Sequence, residues 1–293
     1  MATQLRPSVF VYVYLGGGRL PRYFLDAMRL LRQTFPENPI ALISDSHVSG
    51  KFARDIELIV IDPDIPESLS SALRQDRNTS WRKGFWLHTA ARLFALSSLV
   101  DVFEEEVSFV HLEGDMILTR DFPLELFSQG SMGMYWTSLD LDCDMPGLIS
   151  MSVRDVPWFV KNLTAQLQEN PGVDDMRLLN KIRMNFPNRV SILPSMLNKR
   201  AFDSGNVIDL DTEIPGIFDP AYYGQWFLGE NGRNHWGLVK RKRELREFLD
   251  LSGCALIHEN NSVFLEDEFG VRNVLYSLHV HSKEKVFFAP RRN

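Results

Sequence analysis

The first apolar run, VFVYVYL at 9–15, shows no helical period; Pro7 precedes it and Gly16, Gly17 and Gly18 follow. It reads as a buried strand that empties into a glycine loop. Pro21 then opens a stretch in which Phe24, Met28, Leu31 and Phe35 recur at helical spacing, and PIALIS runs into a polar exit at Ser44 and Asp45. That is a strand, a helix and a second strand. LIVIDPD supplies another short strand ended by acids, and GFWLHTAARLFALSSL predicts one long helix with Trp86, Ala90, Leu93 and Ser97 on a stripe. A strand over 108–112 (SFVHL) follows, so residues 1–120 alternate strand and helix in the manner of a parallel sheet. Ligands of such sheets gather at the C-terminal ends of the strands.

Beyond Asp121 the pattern changes. GMYWTS and VSILPS read as strands, and DVPWFVKNLTAQLQ and DDMRLLNKIRMNF as amphipathic helices. The stretch 202–234 is loop-rich, a form common in lids and binding loops. KRKRELRE at 240–247 is a charge run of the kind that forms a solvated helix face, with attraction for anions a lesser alternative. No internal repeat stands out.

Composition narrows the class. With 293 residues, 44% hydrophobic and 11% aromatic, the chain has ample material for a packed core. The formal net charge of −6 argues against a surface built to neutralise nucleic acid. Cys143 and Cys254 lie far apart with no nearby His/Cys set, which suggests neither a disulfide framework nor a zinc site. The apolar run at 9–15 is too short for a membrane span or a secretory core, so a cytoplasmic protein without a span is the expectation.

The chemistry sits where SFVHL ends. Glu113 and Asp115, with Gly114 between them, stand where a strand of a parallel sheet delivers its ligands. Two acids at this spacing suit a hard divalent cation such as Mg²⁺ or Mn²⁺, which completes its shell with phosphate and water. They equally suit a turn in which Asp115 accepts backbone N–H bonds. Near the C-terminus LHVHSK places His279, His281 and Lys283 two apart, on one face of an extended segment. An imidazole can complete a manganese shell and an ammonium can meet a phosphate; a surface strand with outward polar residues is the plain alternative.

The series from VYVYLGGGRLPRYFLDAMRLLRQTFPENPIALISDS through FWLHTAARLFAL and VSFVHLEGDMIL to LHVHSK resembles nucleotide-sugar-dependent glycosyltransferases of the GT-A fold. The resemblance implies a Rossmann-like α/β domain with a mixed, mainly parallel central sheet flanked by helices. It implies one domain over 1–293, with a nucleotide-sugar half at 1–120 and an acceptor half at 121–293 that carries the C-terminal metal segment. Asp115, His281, His279 and Glu113 become the expected ligands of Mn²⁺ or Mg²⁺, and the donor, with UDP as the expected nucleotide, is expected along Tyr14, Leu15, Gly16, Asp45, Arg92, Glu113, Gly114 and Lys283. Glu113 departs from the aspartate usual at the first position, which makes Asp115 the firmer ligand. Arg92 also fits a salt-bridged helix residue, and Lys83 fits a solvated one better.

The acceptor, a saccharide or glycoconjugate, is expected against GIFDPAYYGQWFLGENGRNHWG, where amides and carboxylates alternate with aromatic rings. Gln225, Asp219 and Glu230 are its candidates for catalysis, beside Asn231, Asn234 and Trp236. A surface helix over 220–228 with its aromatics in the core is the structural alternative. Asp174 and Asp175 open a helix, where acids favour the N-terminal dipole; Asp175 is the further candidate base. Retention and inversion both remain open. Two rivals share these residues: a nucleotidyltransferase that makes a nucleotide-sugar, and a non-catalytic carbohydrate-binding domain.

Overall fold

The computed structural model describes residues 8–65, 85–128, 133–140, 143–170, 173–196, 214–229, 251–260 and 262–281. Lys83, Lys283, Glu230, Asn231, Asn234, Trp236 and the charge run at 240–247 lie outside the described residues. Strands β1 (Val9–Tyr14), β2 (Ile40–Ser44), β3 (Leu58–Ile61), β4 (Ser108–Leu112), β6 (Met134–Asp140), β7 (Cys143–Ser152) and β8 (Val190–Ile192) form one sheet in the order β3-β2-β1-β4-β7-β6-β8. Every pairing is parallel except those that β7 makes with β4 and β6. The expected mixed, mainly parallel sheet is therefore present.

Helices cover both faces, which explains why β1 is apolar without alternation. Val9, Val11 and Val13 join one core with Leu93, Phe94, Phe159, Leu163 and Ile182, from helices α3 (Phe85–Ala95), α5 (Val156–Glu169) and α6 (Asp175–Asn185). Phe10 and Tyr12 join the other core with Phe24, Met28, Phe52 and Phe127, from α1 (Arg22–Thr34), α2 (Gly50–Asp55) and α4 (Leu124–Ser128). The long helix expected through Leu99 is α3 followed by a 3₁₀ turn over Leu96–Leu99.

β7 carries no strand signature in the sequence, because Pro146 and Gly147 interrupt it. The ladder between β6 and β7 jumps from the Trp136–Ile149 pair to the Thr137–Met145 pair, so the proline falls in an irregularity where no ladder amide is required. At the near end of β7, buried Asp144 accepts hydrogen bonds from Trp136 Nε1 at 2.8 Å and from Arg183 Nε and Nη2 at 2.8 and 3.0 Å. This clamp ties α6 to the sheet.

A short strand β5 (Met116–Leu118) leaves the acid motif and pairs antiparallel with β12 (Ser277–His279), while β9 (Ala255–Glu259), β10 (Ser262–Glu266) and β11 (Arg272–Val274) make a separate antiparallel sheet. Helix α7 (Tyr223–Leu228) packs beside β12. Among the described residues no helix is long and apolar enough to cross a membrane.

Candidate metal and donor site

The acid motif is a tight turn. Met116 N–H donates to Glu113 O at 3.0 Å, and Glu113 N–H donates to Gly147 O at 3.0 Å. Gly114 is forced by its surroundings, since a Cβ there would lie 1.9 Å from Phe24 Cδ2. The β5–β12 register sets His279 opposite Met116, and Val280 N–H donates to Asp115 O at 2.7 Å. Backbone pairing thus carries the C-terminal histidines onto the acids.

There His279 Nε2 lies 3.0 Å from Asp115 Oδ1 and 3.2 Å from Glu113 Oε2. The His279 and His281 rings stack with centroids 4.0 Å apart. One ligand atom from each of Asp115, His279 and His281 lies within 4.8 Å of the others. A carboxylate with two imidazoles is a mixed oxygen and nitrogen donor set that a divalent transition-metal ion, Mn²⁺ among them, can accept. Burial alone would lower the pKa of His279, but the Asp115 and Glu113 carboxylates raise it to about 9. The ring thus holds positive charge at the point where a cation would supply it.

Glu113 has a second commitment. Its other oxygen pairs with the Arg92 guanidinium, which also stands 3.6 Å from Asp175 Oδ2. Against the upward effect of burial, Arg92 and His279 hold the Glu113 carboxyl below its ordinary range. Asp175, 2% exposed, is pushed by burial up to about 7 in spite of Arg92. Asp174 is the N-cap of α6, accepting from Arg177 N–H at 2.9 Å.

A cleft of about 350 Å³ opens over these groups. Of the expected donor residues, Tyr14, Leu15, Arg92, Glu113 and Gly114 line it, with Asp115, His279 and His281 on its floor. Tyr23, His88 and Thr89 line it as well and were not expected. His88 was findable: it precedes Arg92 by one helical turn and so shares its face. Asp45 instead accepts N–H bonds from Gly16 at 3.1 Å and Gly17 at 2.9 Å, organising a loop whose positive φ values at Gly17 (66°) and Gly18 (78°) call for glycine.

The acceptor-side expectations need correction at Asp219. It is fully buried; Oδ1 accepts from Tyr222 and Tyr223 N–H at 2.7 and 2.8 Å, and Oδ2 from Gly224 and His279 N–H, both at 2.9 Å. With both oxygens doubly occupied by backbone amides it has no lone pair for an acceptor hydroxyl, and it serves to fix α7 and β12 together. At Gln225, Nε2 contacts Ala221 O and His281 Nε2, each at 2.7 Å, while Oε1 is buried and has no hydrogen-bond partner among the described residues.

The sequence matches no protein-family model and no curated protein. Several solved structures share part of the shape. A galactosyltransferase, LgtC, in complex with donor and acceptor sugar analogs, is 13% identical, with 69% of this chain and 80% of that one covered and a TM-score of 0.47. The glycosyltransferase GlyE of Streptococcus pneumoniae, in apo form, is 13% identical over 84% of this chain and 52% of its own, with a TM-score of 0.46. Mouse xyloside xylosyltransferase 1, also apo, is 10% identical over 69% and 94%, with a TM-score of 0.40.

The ionisation of Asp175 has a measurable consequence. Its folded pKa of about 7 lies above its ordinary value of 3.8, so the folded state favours the proton and loses stability as pH rises from about 4 through 7. Between pH 4.5 and 7.5, wild type is expected to lose about 2 to 4 kcal/mol relative to Asp175→Asn, measured by urea unfolding at each pH. A gap that does not change with pH would mean an ordinary carboxylate.

Proposed function

We propose that this chain forms one metal-dependent glycosyltransferase domain of the GT-A type, which moves a sugar from a nucleoside diphosphate sugar, with UDP as the nucleotide, to an acceptor hydroxyl. The observation that carries this reading is the meeting of Asp115, His279 and His281 on the floor of the cleft at the C-terminal end of β4. Mn²⁺ or Mg²⁺ would be held by these three, and when bound it supplies positive charge for a departing diphosphate. Arg92 holds Glu113 in place and ties it to Asp175, which keeps one oxygen of Glu113 directed at the His279 side. Tyr14 and Leu15 offer a wall for the nucleotide at the exit of β1, with the Gly16 loop and Asp45 beyond it. Lys283, two residues past His281, is proposed to contact the diphosphate as a point charge.

Asp175 is the proposed proton acceptor if the reaction inverts, because a buried carboxyl near neutrality is matched to that task. Glu230, which lies outside the described residues, is the alternative proposed base on the acceptor side. The proposed acceptor is a saccharide or glycoconjugate met by the 214–229 segment.

A thermal-shift and calorimetric panel of UDP-, GDP- and CMP-sugars with and without Mn²⁺ tests the reading. A UDP-sugar is expected to stabilise the protein only when metal is present. Binding indifferent to metal would count against the site. Product analysis separates the rivals, since a nucleotidyltransferase consumes a triphosphate and releases pyrophosphate whereas this reaction releases a nucleoside diphosphate.

A further inference from the structure

Resting on that metal reading, we infer that Gln225 is a positioning residue whose amide holds the His281 ring and must release it before His281 can ligate the cation. The Gln225 amide nitrogen lies 2.7 Å from Ala221 O and 2.7 Å from His281 Nε2. Chemistry fixes its orientation: an amide oxygen in that place would face the Ala221 carbonyl, acceptor against acceptor. One N–H therefore goes to the carbonyl and the other to the ring. His281 must then present Nε2 as an acceptor and carry its proton on Nδ1. Gln225 is 2% exposed, so bulk water does not replace either bond.

A cation cannot take His281 in this state. Coordination through Nε2 requires the lone pair that the amide occupies. Coordination through Nδ1 moves the ring proton to Nε2, where it meets the amide N–H at 2.7 Å, donor against donor. Either route breaks the bond between Gln225 and His281. Gln225 Oε1 is buried and has no hydrogen-bond partner among the described residues, but turning it to the ring would set it against the Ala221 carbonyl, so the amide does not compensate on the second route. His279 Nε2 shares a proton with Asp115 Oδ1 at 3.0 Å, which a cation displaces in the same event, and the release of His281 is the part that Gln225 controls.

The test uses the full chain and MnCl₂ at one pH. Gln225→Leu keeps the bulk of the side chain and removes the competing N–H, and it is expected to tighten Mn²⁺ about 5-fold, the weight of one net hydrogen bond. In a His281→Ala background the same substitution is expected to leave Mn²⁺ affinity unchanged. Nitrogen-15 NMR of the metal-free wild type is expected to show His281 protonated on Nδ1 with Nε2 as acceptor, a signature that a merely structural glutamine would not impose and that needs no variant to fold. Weaker or equal Mn²⁺ binding by Gln225→Leu, or an Nε2–H tautomer in the metal-free wild type, overturns the inference while leaving the metal site standing. A wild type that binds no Mn²⁺ overturns both.

Discussion

Asp115→Asn is expected to reduce Mn²⁺ affinity and metal-dependent turnover by more than about 100-fold while leaving the metal-free protein folded. The substitution keeps the shape of the side chain, and the turn itself is closed by backbone bonds from Met116 to Glu113 and from Val280 to Asp115. What it removes is the negative oxygen 3.0 Å from His279 Nε2, the one anionic ligand in a set whose other members are neutral when they bind metal. Glu113 keeps Oε2 3.2 Å from His279 Nε2, but its charge is shared with Arg92, which holds its other oxygen, so its compensation is expected to be partial. Calorimetric titration of MnCl₂ into both proteins, with circular dichroism as the folding control, decides the matter. Near wild-type affinity in Asp115→Asn would place the metal elsewhere.

The largest expected effect on stability is at Asp219. Asp219→Ala leaves four buried backbone N–H groups, those of Tyr222, Tyr223, Gly224 and His279, without their acceptor. At about 1 to 3 kcal/mol for each unsatisfied buried group, with part recovered by relaxation, the loss is expected to reach about 4 kcal/mol or more in urea unfolding. Burial pushes the Asp219 carboxyl above its ordinary range, and the His279, Gly224 and Tyr223 amides together with the charge of the His279 ring oppose that shift. The backbone there is also tightly packed: a Cβ on Gly224 would lie 1.8 Å from His279 O. Since one of the four amides belongs to His279, Asp219→Ala is expected to weaken Mn²⁺ binding along with stability. Loss of stability with unchanged metal affinity would separate the scaffold from the site.

Much of the fold was legible locally. The continuous apolar run of β1 reflects a strand buried on both faces, and the Phe24, Met28, Leu31 spacing marks the core face of α1. The acids at the end of β4 were legible for the same reason, because a parallel strand ends where ligands are received. β7 was not, since a proline tolerated only at an irregularity in the ladder hides a central strand from any reading of periodicity. The core alternative for the 220–228 segment also describes Tyr222 and Tyr223 correctly, as both are fully buried.

By itself the sequence determined the candidate ligands and the β4 end that presents the acids, because hydrophobic period and residue chemistry are properties of short stretches. Only the tertiary structure decided that the C-terminal histidines reach those acids, that Arg92 belongs to Glu113 and Asp175, and that Asp219 serves the backbone. Each of these depends on a pairing across distant segments, above all the antiparallel register of β12 on β5, and such a register is set by packing and backbone hydrogen bonds that no local pattern records.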